Sequence, residues 1–183
     1  MNQRLDRSML MTIALVAAFR VIPHWPNFTP VMAIALVGGA VASDRVRSLF
    51  VPLAAMVLSD LALGLIMGSE YALHATQPWV YGSVAAIAVM GYAMRSWKPA
   101  SLVLAGGTIS AVGFFLVTNF AVWLNGGFYP QTLEGLAACY AAGLAFYRDS
   151  GNFLLNGIVS TWLFATVMLV APAALRKTVS VTR

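Results

Sequence analysis

The chain has 183 residues, of which 60% are hydrophobic and only 9% are charged. Soluble domains carry about 45–50% apolar and about 25% charged residues, so this composition excludes a soluble globular enzyme and a disordered chain. It indicates an integral membrane protein. At about 20 residues per span, the length leaves room for six or seven helices and for no separate soluble domain.

Apolar runs between short polar segments predict the helices in chain order. The first two runs are short for a span, so we expect either a hairpin that crosses with local membrane thinning or a partly re-entrant pair. The run at 132–147 carries Glu134 and gives seven helices if it spans, or six if it is an outer interfacial segment. The runs cover residues 8–22, 30–42, 48–68, 78–94, 100–126, 132–147 and 151–170.

The positive-inside rule favours six spans over seven. With six spans and a cytoplasmic N-terminus, only Arg20 and Arg148 lie outside, whereas a seventh span would place four basic residues outside. We therefore predict one all-α domain over 1–183. It is a bundle of six transmembrane helices with both termini cytoplasmic and an outer interfacial segment between the fifth and sixth. The basic residues inside are Arg4, Arg7, Arg45, Arg47, Arg95, Lys98, Arg176, Lys177 and Arg183.

Polar residues concentrate on the predicted outer side. Asp60 is the only ionisable residue deep inside a predicted helix, a position that normally faces a cavity or a partner. Two helical stripes with i, i+4, i+8 spacing lie toward the same side. An apolar wall with a few placed polar groups is typical of a small-molecule pocket. The stripes are Phe115, Asn119 and Trp123, and Asn152, Asn156 and Ser160.

Each of these residues also has a structural interpretation. The tryptophans and Tyr129 fit an interfacial aromatic belt, and the asparagines and Ser160 fit interhelical hydrogen bonding. Asp60 fits a structural partner for Arg20 or for a backbone group. The histidines fit solvated loop positions, and Arg148 fits a local surface pair with Asp149. The one-sided distribution of the polar residues favours the pocket. The belt and loop residues are Trp25, Trp79, Trp123, His24 and His74.

The first helix carries Ala14 and Ala18 in an A-x-x-x-A pattern. Small residues at this spacing let another helix approach closely. The pattern fits docking on a partner subunit, and it also fits packing inside this chain.

Catalytic and redox signatures are absent from the sequence. The single cysteine, Cys139, excludes an internal disulfide and a cysteine-based zinc cluster. No metalloprotease, hydrolase or Walker motif occurs, and the dispersed basic residues predict no nucleic-acid partner. We expect no enzyme and no cofactor of its own. A metal site from His24, His74 and Glu70 would form only if the first two outer loops meet.

These features together resemble the substrate-binding S components of energy-coupling factor (ECF) vitamin transporters. The similarity is carried by FRVIPHWPNFTPVMAIALVGGAVASDRVRSLFVPLAAMVLSDLALG at 19–64, and by FFLVTNFAVW and YPQTLEGLAACYAAGLAFYRD within 114–149. These runs look like an uncharacterised bacterial membrane family related to S components. The resemblance implies a multi-pass protein of the bacterial inner membrane.

Within S components, the chain is most similar to the solitary cobalamin-transporting type. That resemblance implies roles for His24, Asp60, Tyr81 and Arg148, which match the type's pattern in kind and order. The type binds cobalt through a cysteine in the loop between the third and fourth helices, and residues 69–77 contain none. Either His74 replaces it as the axial ligand, since imidazole is a suitable donor, or the substrate is not cobalamin.

The resulting hypothesis is a transport protein that captures a vitamin-like molecule, cobalamin or a precursor, from the outer side for uptake. It would act alone or with a transmembrane coupling subunit and separate ATPases, docked on the face of Ala14 and Ala18. The alternative is a structural or assembly subunit of a larger membrane complex. The expected substrate-binding residues are His24, Trp25, Asn27, Asp60, His74, Tyr81, Asn119, Trp123, Arg148 and Asn152.

Overall fold

The computed structural model describes residues 7–42, 44–125 and 127–181, with side chains described for 9–42, 44–70, 73–125 and 127–170. Within these ranges the chain forms helices and no β-strand. Arg4 and Arg183, and the side chains of Arg7, Arg176 and Lys177, lie outside the described residues. The helices are α1 (Arg7–Val21), α2 (Val31–Val41), α3 (Arg45–Met67), α4 (Ser69–Ala72), α5 (Gln77–Ala93), α6 (Pro99–Asn125), α7 (Leu133–Leu144) and α8 (Phe153–Val181).

The long helices are those of a membrane protein. In the described part of the chain, three are long and apolar enough to cross a bilayer: Arg45–Met67, Pro99–Asn125 and Phe153–Val170. Large apolar side chains point away from the protein, with Leu65 90% exposed and Leu15 66% exposed. Such surfaces suit lipid and not water. The prediction of an all-helical fold is therefore confirmed for the described residues, and three of its helices are suited to cross a membrane.

Helix α2 forms the centre of the bundle. Its sequence, VMAIALVGGAV, is apolar on every face, which is typical of a helix enclosed on all sides. Residues 31–37 are all buried, and α2 contacts α3, α5, α6 and α8. Its 11 residues extend only about 16 Å, less than the roughly 30 Å of a bilayer core. Because protein surrounds α2, its short length leaves few backbone groups facing lipid.

Helices α2 and α5 cross at two glycines. A Cβ atom on Gly39 would lie 2.1 Å from the carbonyl oxygen of Ala88, and one on Gly91 would lie 2.1 Å from that of Leu36. Real Cβ atoms do not approach this closely, so glycine at both positions permits the backbone contact. The crossing fixes the position of α5, which carries Tyr81.

Helix α6 contains a π-helical turn over Leu102–Gly106, which the sequence did not predict. Such a turn disrupts the regular backbone hydrogen bonds of a helix. The indole of Trp162 on α8 and the hydroxyl of Thr108 both donate to the carbonyl of Leu104, at 3.1 and 2.6 Å. The turn thereby ties α6 to α8 at the end opposite the predicted outer loops.

Helix α7 corresponds to the ambiguous run that carries Glu134. It begins with Thr132 as N-cap, whose hydroxyl oxygen accepts a hydrogen bond from the Gly135 backbone N–H at 3.2 Å. The exposed Glu134 carboxylate accepts from its own backbone N–H and from Thr132, and both interactions lower its pKa. An ionised residue at the start of α7 suits the predicted interfacial position better than a span.

Candidate ligand-binding site

Asp60 is the centre of a polar network between α1, α3 and α5. Its carboxylate lies 2.8 Å from the Arg20 guanidinium and accepts hydrogen bonds from the Tyr81 hydroxyl at 2.7 Å and the Gln77 amide at 2.9 Å. Asp60 is 6% exposed. The structural alternative for Asp60, a partner for Arg20, is confirmed.

Arg20 is held on its other side by α3. Its guanidinium donates to the Met56 carbonyl at 3.1 Å and to the Ser59 hydroxyl. The Arg20–Asp60 pair carries no net charge, because the two side chains have opposite charges. Its hydrogen bonds offset part of the cost of removing both ions from water. The sequence did not predict Gln77, although its i, i+4 spacing from Tyr81 places both side chains on one face of α5.

Arg20 also lines a cavity of about 300 Å³ at the predicted outer end of the bundle. Both histidines line this cavity, so the first two predicted outer loops do meet. Even so, the described residues contain no group of three His, Cys, Asp or Glu that would hold a metal ion. The cavity is lined by Arg20, His24, Asn27, Thr29, Val31, Met32, Met56, Leu63, His74, Val80, Val84, Phe114 and Thr118.

The hydrogen bonds of the cavity residues fix what they offer to a ligand. The Nδ1 atom of His24 lies 2.6 Å from the Ile22 carbonyl, which can only accept, so a neutral His24 ring keeps its Nε2 lone pair free. The Asn27 amide donates to the Phe153 carbonyl at 3.2 Å, and the Thr118 hydroxyl to that of Phe114 at 2.8 Å. All three side chains therefore present acceptor atoms.

A second cavity of about 310 Å³ shares Asn27 and Thr118 with the first. Its wall is more aromatic, and the rings of Tyr147 and Phe153 stack with centroids 5.6 Å apart. Asn119, predicted as a site residue, belongs to this wall, whereas Tyr129 and Cys139 were not predicted there. The lining comprises Pro26, Asn27, Thr118, Asn119, Val122, Tyr129, Cys139, Ala142, Gly143, Tyr147 and Phe153.

Asn27, which lines both cavities, has an unusual backbone conformation. Its φ of 62° lies in the left-handed region, where asparagine is tolerated better than most residues. Helix α8 holds this loop: Ser160 donates to the Asn27 carbonyl and Asn156 to the Pro26 carbonyl, both at 3.1 Å. The polar stripe on α8 thus holds the loop between α1 and α2 in place.

A wider, open groove of about 500 Å³ lies between α3 and α5. Asp60, Gln77 and Tyr81 form its polar back wall, and the rest is apolar. Because Asp60 lines this groove and Arg20 lines the first cavity, the Arg20–Asp60 pair lies between the two. The apolar lining residues are Val57, Leu61, Leu73 and Pro78.

Four predicted site residues do not line these cavities. Trp25 is 55% exposed, and Arg148 is exposed on the surface. The Trp123 indole donates to the Pro130 carbonyl at 2.9 Å. The side-chain oxygen of Asn152 accepts from the Leu155 backbone N–H at 2.9 Å and so caps the start of α8. Ala14 and Ala18, the predicted docking residues, are exposed on α1.

The family comparison covers almost the whole chain. A family of unknown function, DUF6580, matches residues 2–182. The chain belongs to this family. Comparisons with curated proteins and with solved structures found no match. Membership of DUF6580 assigns no activity, so a functional proposal depends on the cavities.

Proposed function

We propose that this DUF6580 protein is a membrane transport protein that binds a vitamin-like small molecule at its outer side for uptake. The observation that supports it is the pair of adjoining cavities, which share Asn27 and Thr118. Each volume is near the lower end of the roughly 300–1,000 Å³ of ligand pockets. Together they suit a compact molecule with one part in each cavity.

The chemistry of the wall favours a neutral ligand that donates hydrogen bonds. His24, Asn27 and Thr118 present acceptors, and the Arg20 charge is matched by Asp60. The second cavity adds aromatic faces, which suit a planar group. A molecule bearing N–H or O–H groups and an unsaturated ring fits both walls.

Cobalamin or a precursor remains the substrate that the sequence resemblance suggests. His74 lines the cavity that Arg20 also lines, and its Nδ1 lies 2.9 Å from the Thr76 hydroxyl. When Nδ1 carries the proton and donates to Thr76, the Nε2 lone pair is free to coordinate cobalt. The cavity volumes favour a compact precursor over a complete corrin, and a precursor without the corrin would bind without a cobalt ligand from His74.

The proposed topology has six spans: α1, α2, α3, α5, α6 and α8, with α7 as an outer interfacial segment and both termini cytoplasmic. A bacterial inner membrane is the proposed location. The exposed face of α1 around Ala14 and Ala18 supports docking on a coupling subunit, because the described chain leaves these small residues uncovered.

Ligand analysis tests the proposal. Purified protein is examined by mass spectrometry for bound molecules and titrated by calorimetry with a vitamin panel that includes cobalamin. We expect one compound to bind, and Asn27→Gly to weaken it by about tenfold, the effect of about one lost hydrogen bond. Glycine keeps the left-handed backbone, so the change removes only the side chain.

Arg148→Gln is the matched control, because Arg148 is exposed on the same side and lies outside both cavities. If no compound binds, or if Asn27→Gly binds as the unchanged protein does, the transport proposal fails. Copurification of a protein partner in fixed ratio, with no ligand bound, would instead support the assembly-subunit alternative.

A further inference from the structure

Two arginines converge on one tyrosine at the end of the bundle opposite His24. Arg45, the first residue of α3, and Arg95, just after α5, both donate hydrogen bonds to the Tyr92 hydroxyl oxygen, the second at 2.7 Å. Their guanidinium carbons also lie 4.0 and 4.6 Å from the centre of the Tyr92 ring. Tyr92 thus holds two positively charged side chains against its hydroxyl group and ring.

The positive charge of this cluster is not neutralised within the described part of the chain. Neither Arg45 nor Arg95 has a carboxylate within ion-pair distance in that part of the chain. The nearby Asp44 carboxylate pairs with Arg47, at 3.5 Å. Two like charges held on one tyrosine repel each other, so an anion bound next to both would stabilise the arrangement.

The hydrogen-bonding groups of the cluster suit an oxyanion. Guanidinium groups can only donate. Because the Tyr92 oxygen accepts from both arginines, its own O–H is left to donate as well. Converging donors from two planar guanidiniums match the oxygens of a phosphate group.

We propose that Arg45, Tyr92 and Arg95 form a binding site for a phosphate group. The cluster lies where α3 begins and α5 ends, at the membrane face that the charge distribution places in the cytoplasm. Phospholipid headgroups are the phosphates most abundant there, and anionic lipids are attracted to such basic positions. The inference is independent of the outer cavities.

Lipid retention tests the site. The full-length protein in detergent is titrated with phosphatidylglycerol and, separately, with phosphatidylcholine of the same acyl chains, and bound lipid is counted by native mass spectrometry. We expect phosphatidylglycerol to be preferred. Arg45→Gln and Arg95→Gln should each weaken its binding by about tenfold, the effect of losing a charge-assisted hydrogen bond.

Lys98→Gln is the control, because it removes one positive charge on the same face without touching Tyr92. If it weakens binding as much as Arg95→Gln, or if both lipids bind equally, the site is disproved. Tyr92→Phe keeps the ring and removes the hydroxyl. It should weaken binding less than Arg95→Gln does, and an unchanged affinity would also contradict the site. If inorganic phosphate displaces bound phosphatidylglycerol at equal concentration, the ligand is a soluble phosphate. If the lipid stays bound, the ligand is a lipid headgroup.

Discussion

At the scale of single residues, the Arg20–Asp60 pair is the main polar contact between helices in the predicted outer half of the bundle. Both side chains are largely buried, with 19% and 8% of their surfaces exposed, and α1, α3 and α5 all contribute hydrogen bonds. An ion pair of this kind is costly to break because removal of one partner leaves a charge without compensation. The stability of the protein therefore depends on keeping both charges or removing both.

A double-mutant cycle tests this coupling. Asp60→Asn or Arg20→Gln alone should lower the free energy of unfolding by about 2–3 kcal/mol, somewhat below the value for fully buried pairs because Arg20 is partly exposed. The double variant should lose at least about 1 kcal/mol less than the sum of the two single losses. Unfolding in detergent, followed by circular dichroism, measures all three. Strictly additive losses would show that the pair is not coupled.

At the scale of helices, the positions of the elements could be predicted and their rotation could not. The predicted run 30–42 became α2 (Val31–Val41), and 78–94 became α5 (Gln77–Ala93). Hydropathy is a property of consecutive residues, so it locates helices along the chain well. It does not report that the Asn156 side chain meets Pro26, because that contact depends on how two distant segments cross.

The crossing of α2 and α5 gives a prediction at this scale. Gly91→Ala should destabilise the protein strongly, by about 3 kcal/mol or more, because the new methyl group would overlap the Leu36 carbonyl and push the helices apart. Gly82→Ala in the same helix has open space around its Cβ and should be neutral or slightly stabilising. Thermal unfolding of the two variants provides the comparison. Equal effects would mean that the two helices do not pack as closely as described.

At the scale of the whole molecule, uptake from outside requires a particular orientation of the protein in the membrane. In the proposed six-span topology, the loop between α3 and α5 faces outward and the loop between α5 and α6 faces the cytoplasm. Both contain exposed residues, Ala75 and Ser96. Native Cys139 is buried, which keeps the background of a thiol-labelling experiment low.

Thiol labelling of intact cells tests the topology. Ala75→Cys should react with a membrane-impermeant maleimide added outside, and Ser96→Cys should react only after the membrane is opened. The unchanged chain serves as the blank. The reverse pattern would show that the protein has the opposite orientation, with the histidine-lined cavity on the cytoplasmic side. That orientation would contradict uptake from outside.

The candidate site was predicted in part. His24, Asn27, His74 and Asn119 line the two cavities, and Asp60 and Tyr81 line the neighbouring groove. Their outer-loop and outer-helix positions were visible as a one-sided polar distribution. Trp123 and Asn152 belong to the same polar stripes, yet they line none of these cavities, and Asn152 instead caps the start of α8. Residue type alone does not separate a group that faces a cavity from one that satisfies a loop or a helix end.

The sequence by itself determined the class of protein and the approximate limits of its helices, because the length and polarity of each run are local properties. Only the tertiary structure decided which polar groups meet. It paired Arg20 with Asp60, joined two cavities at Asn27 and brought Arg45 and Arg95 to Tyr92. These contacts depend on helix rotation and close approach. Packing between segments that are distant in the chain sets both, as Gly39 and Gly91 do where α2 crosses α5, so neither can be read from one segment alone.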